Sequence, residues 1–173
     1  MTRGGNRELL DRLVAEDTPK VLRFAMRLTG CEDAAEEVVQ EALYRAARAA
    51  DSFRGQSQFR TWFYRIVISA FRDQSVTAAR RRSAGELTDE LADPRGDDPA
   101  AATMAEELRE LVAQRISALP SRQREVLVLT AYEEMRPREV AEVLGISASN
   151  VHATLHYARA RLREELADYL TEK

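Results

Sequence analysis

The chain has 173 residues, a net charge of −3 at pH 7 and only 6% aromatic residues. This length accommodates one large or two small domains, and seven glycines and five prolines leave most of the chain free to form helices. A single cysteine excludes a disulfide framework and a cysteine cluster for zinc. No apolar run approaches the roughly 20 residues of a membrane span, and the N-terminus lacks the apolar stretch of a signal peptide. We therefore expect a cytoplasmic protein without membrane contact of its own.

Two helices are predicted near the N-terminus. Thr18 and Pro19 suit a helix cap and a first helical position, and Gly30 ends the apolar stripe that follows. A second helix is predicted over residues 32–50, with carboxylates in its first turns and arginines near its end, an order that the helix dipole favours. Its valines and alanines form one apolar face. The side chains largely off that face, which are usually solvated, are Glu37, Gln40, Glu41 and Tyr44.

The net charge of the sequence becomes locally positive after Phe53. Residues 54–82 contain seven arginines and one acid, interleaved with aromatic residues. This mixture is typical of single-stranded DNA binding, because arginines follow the backbone while aromatic and short polar groups receive unstacked bases. The helical spacing of the rings equally fits an ordinary core, and we assign Trp62 and Phe63 to packing. The predicted DNA-binding residues are Arg54, Gln56, Ser57, Arg60, Arg65 and Arg72.

An acidic segment follows. Residues 83–103 carry six acids and one arginine, together with two prolines and two glycines, and they lack apolar periodicity. Such a composition favours a flexible linker over a packed core. The sequence therefore predicts helical domains of residues 1–82 and 104–173, joined as two separate DNA-facing modules.

Residues 137–163 have the pattern of a helix-turn-helix with a basic tail. Pro137 suits a first helical position, Gly145 a left-handed turn and Ser147 the cap of a second helix. The predicted buried stripe of that helix is Val151, Leu155, Ala158 and Leu162. Its other face is polar near the N-terminus, the end that enters the major groove in this motif. An ordinary helical hairpin with a polar surface fits this pattern about equally well, so the rest of the chain decides between them.

The sequence contains no grouping for catalysis or metal binding. His152 and His156 have the spacing of two metal ligands, yet no cysteine or HExxH pattern accompanies them, so we predict groove-facing histidines. Cys31 at a helix start is predicted to be an inert thiol. The carboxylates have no Ser-His-Asp arrangement and no glycine-rich phosphate loop beside them. We expect neither an enzyme nor a cofactor or metal site.

The order of these segments resembles that of a bacterial RNA polymerase sigma factor of the sigma-70 family, in its extracytoplasmic function (ECF) group. The core-polymerase-binding helix of that group is similar to AAEEVVQEALYRA, and its −10 recognition and melting region to SFRGQSQFRTWFYRIVISAFRD. Its −35-binding domain is similar to LPSRQREVLVLTAYEEMRPREVAEVLGISASNVHATLHYARARL. The resemblance covers residues 8–170 and implies an all-α fold of a region 2-like and a helix-turn-helix region 4-like domain. The implied partners are core RNA polymerase, promoter DNA and an anti-sigma factor.

The resemblance also implies three sets of contacts. The core-polymerase-binding residues would be Glu37, Val38, Val39, Gln40, Glu41 and Tyr44. The −10 DNA-binding residues would be Arg54, Gln56, Ser57, Phe59, Arg60, Arg65, Ser69 and Arg72. The −35 DNA-binding residues would be Arg138, Ser149, Asn150, His152, Ala153, Thr154, His156, Tyr157, Arg159 and Arg163.

Some of these positions depart from the family pattern. Glu37 and Val38 replace the usual Asp and Leu and keep their charge or character, so we expect core binding to survive. Ser69 stands where an Asn is common, which removes an amide donor and acceptor near the melted −10 bases. In the recognition helix the usual Thr, Lys, Ser and Arg are replaced by Asn150, His152, Ala153 and Thr154. We expect a changed −10 preference, and either weaker duplex binding or a different −35 sequence.

Two other functions stay open at this point. A free-standing helix-turn-helix regulator would need a dimer surface and a palindromic site, and it leaves residues 31–72 unexplained. An interaction protein could keep the fold and lose promoter recognition, as Ser69 and the altered recognition helix permit. Run-off transcription with core polymerase separates all three functions.

Overall fold

The computed structural model describes residues 3–84, 104–167 and 169, and every regular element in these ranges is helical, which confirms the predicted all-α class. A π-helical turn (Leu13–Asp17) follows the first helix and a 3-10 turn (Ala50–Ser52) follows the third. The α-helices are α1 (Arg3–Arg12), α2 (Thr18–Thr29), α3 (Glu32–Ala49), α4 (Phe59–Ser83), α5 (Met104–Ala118), α6 (Ser121–Ala131), α7 (Pro137–Leu144) and α8 (Ala148–Glu165).

In the first domain, α3 packs against both α2 and α4. Its small buried residues recur at helical spacing, among them Ala35, Ala42 and Ala46, and they let the neighbouring helices approach closely. The ring of Phe24 on α2 meets the ring of Tyr64 on α4 edge-on, with 4.8 Å between the centroids. Together with Val67 and Ile68 these rings form the core that fixes the exposed faces of α3 and α4.

The boundaries of α2 agree with the sequence at one end only. Gly30 ends the helix in the left-handed region, with a φ of 75°, and its N–H donates to the Met26 carbonyl as predicted. At the other end, α2 begins at Thr18, one residue earlier than predicted. The Thr18 hydroxyl donates back to the Val14 carbonyl in the preceding turn, so it does not serve as a cap for α2.

The helix α1 was not predicted from the sequence, and a tertiary contact explains its place. The side-chain amide of Asn6 is buried and donates to the carbonyls of Ala50 and Phe53, at 2.9 and 2.8 Å. These bonds tie α1 to the end of α3 and to the start of the loop before α4. A local apolar pattern does not reveal such a contact.

The second domain has a core between α6, α7 and α8. Its apolar residues include Val126 on α6, Val140 and Val143 on α7, and Val151 and Leu155 on α8. The helix α5 makes contacts with α8 and with α2 of the first domain. The predicted stripe of α8 is confirmed, because Val151, Leu155 and Ala158 are buried and Leu162 is half-buried.

The two domains lie against each other, a contact that the sequence analysis does not predict. The helix α4 packs on α7, and α2 contacts both α5 and α6. The buried apolar side chains form one contiguous cluster through both domains. The predicted linker, residues 83–103, lies outside the described residues apart from Ser83 and Ala84. In the described part of the chain, no helix combines the length and the apolar character that a membrane crossing requires.

Candidate nucleic-acid and polymerase interfaces

The helix-turn-helix forms as its sequence predicts. Pro137 occupies the first position of α7, and the N–H of Arg136 before it donates to the Glu139 carboxylate at 2.8 Å. Gly145 ends α7 with a φ of 67°, in the left-handed region that glycine adopts without strain. The Ser147 hydroxyl then accepts from the N–H of Asn150 at 3.2 Å and caps α8. The turn and its two caps fix the direction of α8 relative to α7.

The outer face of α8 is polar and open to solvent. Tyr157 is 64% exposed, and its ring meets the ring of His156 with centroids 5.9 Å apart. Thr154 is half-buried. The other predicted −35 residues are exposed, namely Ser149, Asn150, His152, Ala153, Arg159 and Arg163 on α8 and Arg138 on α7.

The charged tail of α8 lies beyond its small polar groups. Asn150 and Arg159 are about 14 Å apart along the helix at 1.5 Å per residue. Arg161, which points elsewhere on the helix, is paired with Glu165 at 3.2 Å. Arg159 and Arg163 have no ion pair within the described residues. This arrangement suits base contacts near the N-terminus of α8 and phosphate contacts further along.

The loop before α4 is shaped by an aromatic cluster. The rings of Phe53, Phe59 and Trp62 lie with centroids 5.1 to 5.4 Å apart, and Phe63 is fully buried. Trp62 is half-buried and packs as predicted. Phe59 also packs in this cluster and is half-buried, so part of its ring is committed to the fold. The helix α4 begins at Phe59, inside this aromatic cluster.

The tip of this loop remains open. Gly55 has a φ of 70°, and Arg54 and Gln56 beside it are exposed while Ser57 is half-buried. Guanidinium, amide and hydroxyl groups therefore surround a tight turn at one end of α4. Such groups can hold the backbone and the edge of an unstacked base.

Three predicted −10 arginines on α4 are directed at the second domain. Arg60 donates through Nη2 to the backbone carbonyl of Glu133 at 2.6 Å and to its carboxylate at 3.2 Å. Arg65 donates to the backbone carbonyl of Glu142 at 3.1 Å and pairs with its carboxylate at 3.3 Å. In this structure carboxylates 73 and 77 residues away in the sequence occupy Arg60 and Arg65, and the DNA contacts of these two arginines stay a prediction.

The third pair is the most buried. Arg72 donates from Nε and Nη2 to the two carboxylate oxygens of Glu125, at 2.8 and 2.7 Å. Glu125 is only 2% exposed and also pairs with Arg122 of its own domain at 3.3 Å. The two hydrogen bonds to Glu125 raise the pKa of Arg72 above its usual value. Arg72, like Arg60 and Arg65, is held by the second domain.

Tyr64 completes the contact around Glu133. Its hydroxyl donates to the Glu133 carboxylate, and the guanidinium of Arg60 lies 5.4 Å from the centroid of the Tyr64 ring. Burial and, after it, the bond to Glu133 raise the pKa of the Tyr64 phenol above its usual value. The phenol therefore stays protonated and serves as a donor.

The predicted polymerase face of α3 is exposed and partly ordered by hydrogen bonds. Glu37 accepts from the Gln74 amide at 2.8 Å, and Glu41 pairs with Arg45 at 2.7 Å. Arg45 also pairs with Asp73 of α4 at 2.6 Å. The bonds to Glu41 and Asp73 raise the pKa of Arg45. These contacts hold the acidic side chains at defined places on the surface.

Gln40 and Tyr44 extend this face. Gln40 is exposed, and so is Tyr44, whose hydroxyl accepts from Arg48 at 3.0 Å. Val38 and Val39 correct the sequence prediction, because they are buried at 1% and 6% exposure and pack in the core of the first domain. They orient α3 and cannot touch a partner on its outer face.

Ser69 lies on the exposed surface of α4. Its hydroxyl accepts from Arg45 at 3.4 Å, so it is adjacent to the α3 face and to Asp73. The described residues contain no group of His, Cys, Asp and Glu that could hold a metal ion. Cys31 is half-buried at the start of α3.

Comparison with known proteins gives matches over most of the chain. A family model described as Sigma-70 region 2 matches residues 13–83, and one described as Sigma-70, region 4 matches residues 109–162. The RNA polymerase sigma-H factor of Pseudomonas aeruginosa is 31% identical, over 97% of this chain and 91% of that protein. The ECF RNA polymerase sigma factor SigW of Bacillus subtilis is 30% identical, over 86% of this chain and 84% of that protein.

A solved structure has a similar fold. The sigma factor RpoE in complex with the anti-sigma factor NepR, from Bartonella quintana, superposes with a TM-score of 0.74 at 23% identity. The match covers 96% of this chain and 98% of that chain. Because the match covers both domains of this chain, the likeness is one of overall fold.

Proposed function

The chain belongs to the ECF group of the sigma-70 family, and we propose that it binds core RNA polymerase through α3 and directs initiation by reading the −10 and −35 elements. The observation that carries this function is the exposed polar face of α8 on a formed helix-turn-helix, in a chain that sigma factors match over nearly its whole length. The match supports this function and not a free-standing regulator, since the Sigma-70 region 2 model matches residues 13–83, which is most of the first domain.

The polymerase contact is proposed for Glu37, Gln40, Glu41 and Tyr44. Their exposure on one face of α3 supports it, as does the fixing of Glu37 and Glu41 by bonds to Gln74 and Arg45. A rigid acidic face with one aromatic ring needs little reorganisation to dock on a complementary surface. Val38 and Val39 contribute by holding that face outward.

The −10 contact is proposed for the loop tip and for α4. Arg54, Gln56 and Ser57 would receive extruded bases of the melted strand, and the arginines of α4 would follow its phosphates. The turn at Gly55 supports this role, because it brings short polar groups and a guanidinium together without covering them. Ser69 adds an exposed hydroxyl on α4.

The −35 contact is proposed for the outer face of α8 together with Arg138. Small and hydrogen-bonding groups near the N-terminus of α8 suit base edges in the major groove. Arg159 and Arg163 suit phosphates. An anti-sigma factor is a further proposed partner, in keeping with the partner of the similar solved structure. A protein that acts with polymerase on promoter DNA is proposed to work in the cytoplasm. The chemical step, phosphodiester bond formation, would be carried out by the polymerase and not by this chain.

Run-off transcription with purified core polymerase tests this function. The templates should carry promoters that the complex of this chain with core polymerase selects from a sequence library. A promoter-specific transcript that appears only when the chain is present is expected. The variant Glu37→Lys with Glu41→Lys should abolish both transcription and co-purification with core. Exposed helix positions usually change stability by at most about 0.5 kcal/mol, so its circular dichroism should match the wild type.

A matched control carries the same change of charge in the same domain. Asp11 and Glu16 are exposed and lie outside α3, so Asp11→Lys with Glu16→Lys should keep core binding. Loss of core binding in both variants would point to net charge and not to the α3 face. Absence of any chain-dependent transcript would contradict the proposed function as a whole.

A further inference from the structure

The side-chain amide of Asn6 on α1 holds the turn that leads from α3 into the loop before α4. Asn6 is 2% exposed, and its Nδ2 donates to the carbonyls of Ala50 and Phe53, at 2.9 and 2.8 Å. A carboxamide nitrogen has two hydrogens, so both of its donors are used. The N–H of Phe53 donates to the Ala50 carbonyl at 3.1 Å and closes the 3-10 turn from within. Asn6 closes the same turn from outside.

The bond to the Phe53 carbonyl fixes the peptide with which the loop begins. This carbonyl and the N–H of Arg54 belong to one planar peptide group, so Asn6 sets the orientation of both. Phe53 is buried and has an extended backbone, with φ and ψ of −67° and 113°. The direction in which the loop leaves the first domain is therefore set at this one peptide.

The tip of the loop has few constraints of its own. In the part of the chain that the structure describes, residues 54–57 make no hydrogen bond. At its far end the loop is held by the start of α4, where the Trp62 N–H donates to the Gln58 carbonyl at 3.1 Å. The ring of Trp62 also packs on Phe59, with 5.1 Å between the centroids. The position of the polar groups at the tip thus depends on two anchors, and Asn6 supplies the first.

The surroundings of Asn6 favour a role in placement over a role in stability. Its Oδ1 is buried and has no hydrogen-bond partner among the described residues. An unpaired buried acceptor costs about as much free energy as two neutral hydrogen bonds contribute, so the amide adds little to the free energy of unfolding. Leu10, which is also buried on α1, packs in the apolar core and attaches the helix independently of the amide. What the amide supplies is a fixed position for two carbonyls.

We propose that Asn6 is a positioning residue for −10 readout, and that it acts by holding the start of the loop that carries Arg54, Gln56 and Ser57. The inference rests on the proposed −10 role of that loop and adds a residue too buried to touch DNA itself. A base is distinguished by directional hydrogen bonds to its edge, which weaken steeply when a donor or acceptor is misplaced by about 1 Å. Charged contacts to phosphates are less directional. A displaced loop therefore loses discrimination between bases before the chain loses its promoter.

Run-off transcription with core polymerase measures this discrimination. The measured ratio compares the transcript from a promoter selected by the wild-type complex with the transcript from the same promoter after one −10 base pair is changed. Asn6→Leu keeps the approximate volume of the side chain and removes both donors. It should lower the ratio about tenfold, as the loss of one base contact would, while co-purification with core stays at the wild-type level. Asn6→Ser has a single hydroxyl hydrogen, which cannot serve both carbonyls, and as a second variant it should lower the ratio too.

Leu10→Val is the matched control, because it weakens the packing of α1 and keeps both bonds of Asn6. The loss of a buried methylene should lower the melting temperature at least as much as Asn6→Leu does, and it should leave the −10 ratio unchanged. An equal loss of discrimination in Leu10→Val would show that any loosening of α1 has this effect, and it would overturn the role of the amide. Wild-type ratios in both Asn6 variants would overturn it as well.

A double-mutant cycle tests whether Asn6 acts through the loop. Gln56→Ala removes an amide at the loop tip, so Asn6→Leu should lower the ratio less in that background than in the wild type. Independent effects of the two substitutions would overturn the inference. A loss of discrimination in Gln56→Ala, with none in the Asn6 variants, contradicts this inference alone. Unchanged discrimination in Gln56→Ala, Arg54→Ala and Ser57→Ala contradicts the proposed −10 role of the loop, and this inference with it.

Discussion

Gly30 and Gly145 form a natural pair for testing the contact between the domains. Both adopt the left-handed conformation, with φ values of 75° and 67°. An alanine there costs about 1 to 2 kcal/mol in backbone strain. At Gly145 an added Cβ has no atom within 4 Å, so Gly145→Ala should lower the free energy of unfolding by that strain alone.

At Gly30 a second cost is added. A Cβ there would lie 2.8 Å from the Cβ of Ser117 on α5, which belongs to the other domain. Either α5 shifts by about 1 Å or the domains part, and overpacking of this kind costs about 1 to 3 kcal/mol more. Gly30→Ala should therefore lower the free energy of unfolding by about 2 to 5 kcal/mol in total, unless the chain opens first.

Urea unfolding followed by circular dichroism measures both variants, and the fluorescence of Trp62, the chain's one tryptophan, follows the first domain separately. Ser117→Gly removes the Cβ that the new alanine Cβ meets. When the effect of Ser117→Gly alone is subtracted, the double variant Gly30→Ala with Ser117→Gly should therefore lose less unfolding free energy than Gly30→Ala does, by the cost of the clash. A chain that opens to relieve the contact should show a larger radius of gyration. The clash between Gly30→Ala and Ser117 would be refuted if both glycine variants lost the same unfolding free energy, if the effects of Gly30→Ala and Ser117→Gly were additive, and if the radius of gyration stayed unchanged.

The proposed promoter contacts give further tests. Gln56→Ala should slow open-complex formation, followed by permanganate reactivity, and matter little on a pre-melted template; Gln58→Ala, at the next exposed glutamine of the loop, is its control. An equal defect on both templates would instead indicate a docking fault. Asn150→Ala should change the −35 sequence selected from a library, at about 1 to 3 kcal/mol per lost base contact. Arg159→Ala should weaken binding to all −35 sequences alike, and it should reduce by about 0.9 the slope of the logarithm of the binding constant against the logarithm of the salt concentration. A changed sequence preference would contradict the proposed phosphate contact of Arg159.

The helix-turn-helix could be predicted from the sequence down to single residues because its determinants are local. The turn at Gly145, the cap at Ser147 and the apolar spacing of α8 each depend on residues within a few positions. The helix α1 could not be predicted in the same way. Its residues Arg3–Arg12 include two glycines, and its place depends on Asn6 bonds to carbonyls 44 and 47 residues away.

The spacing of apolar residues along the sequence predicts which faces of α3 and α8 are exposed. It does not predict the glutamates that pair with the arginines of α4. Nothing near Arg65 in the sequence points to Glu142, because the pair forms only when α4 packs on α7. Val38 and Val39 illustrate the opposite error. Their apolar spacing predicts burial correctly, and the resemblance to a binding helix alone made them contact residues.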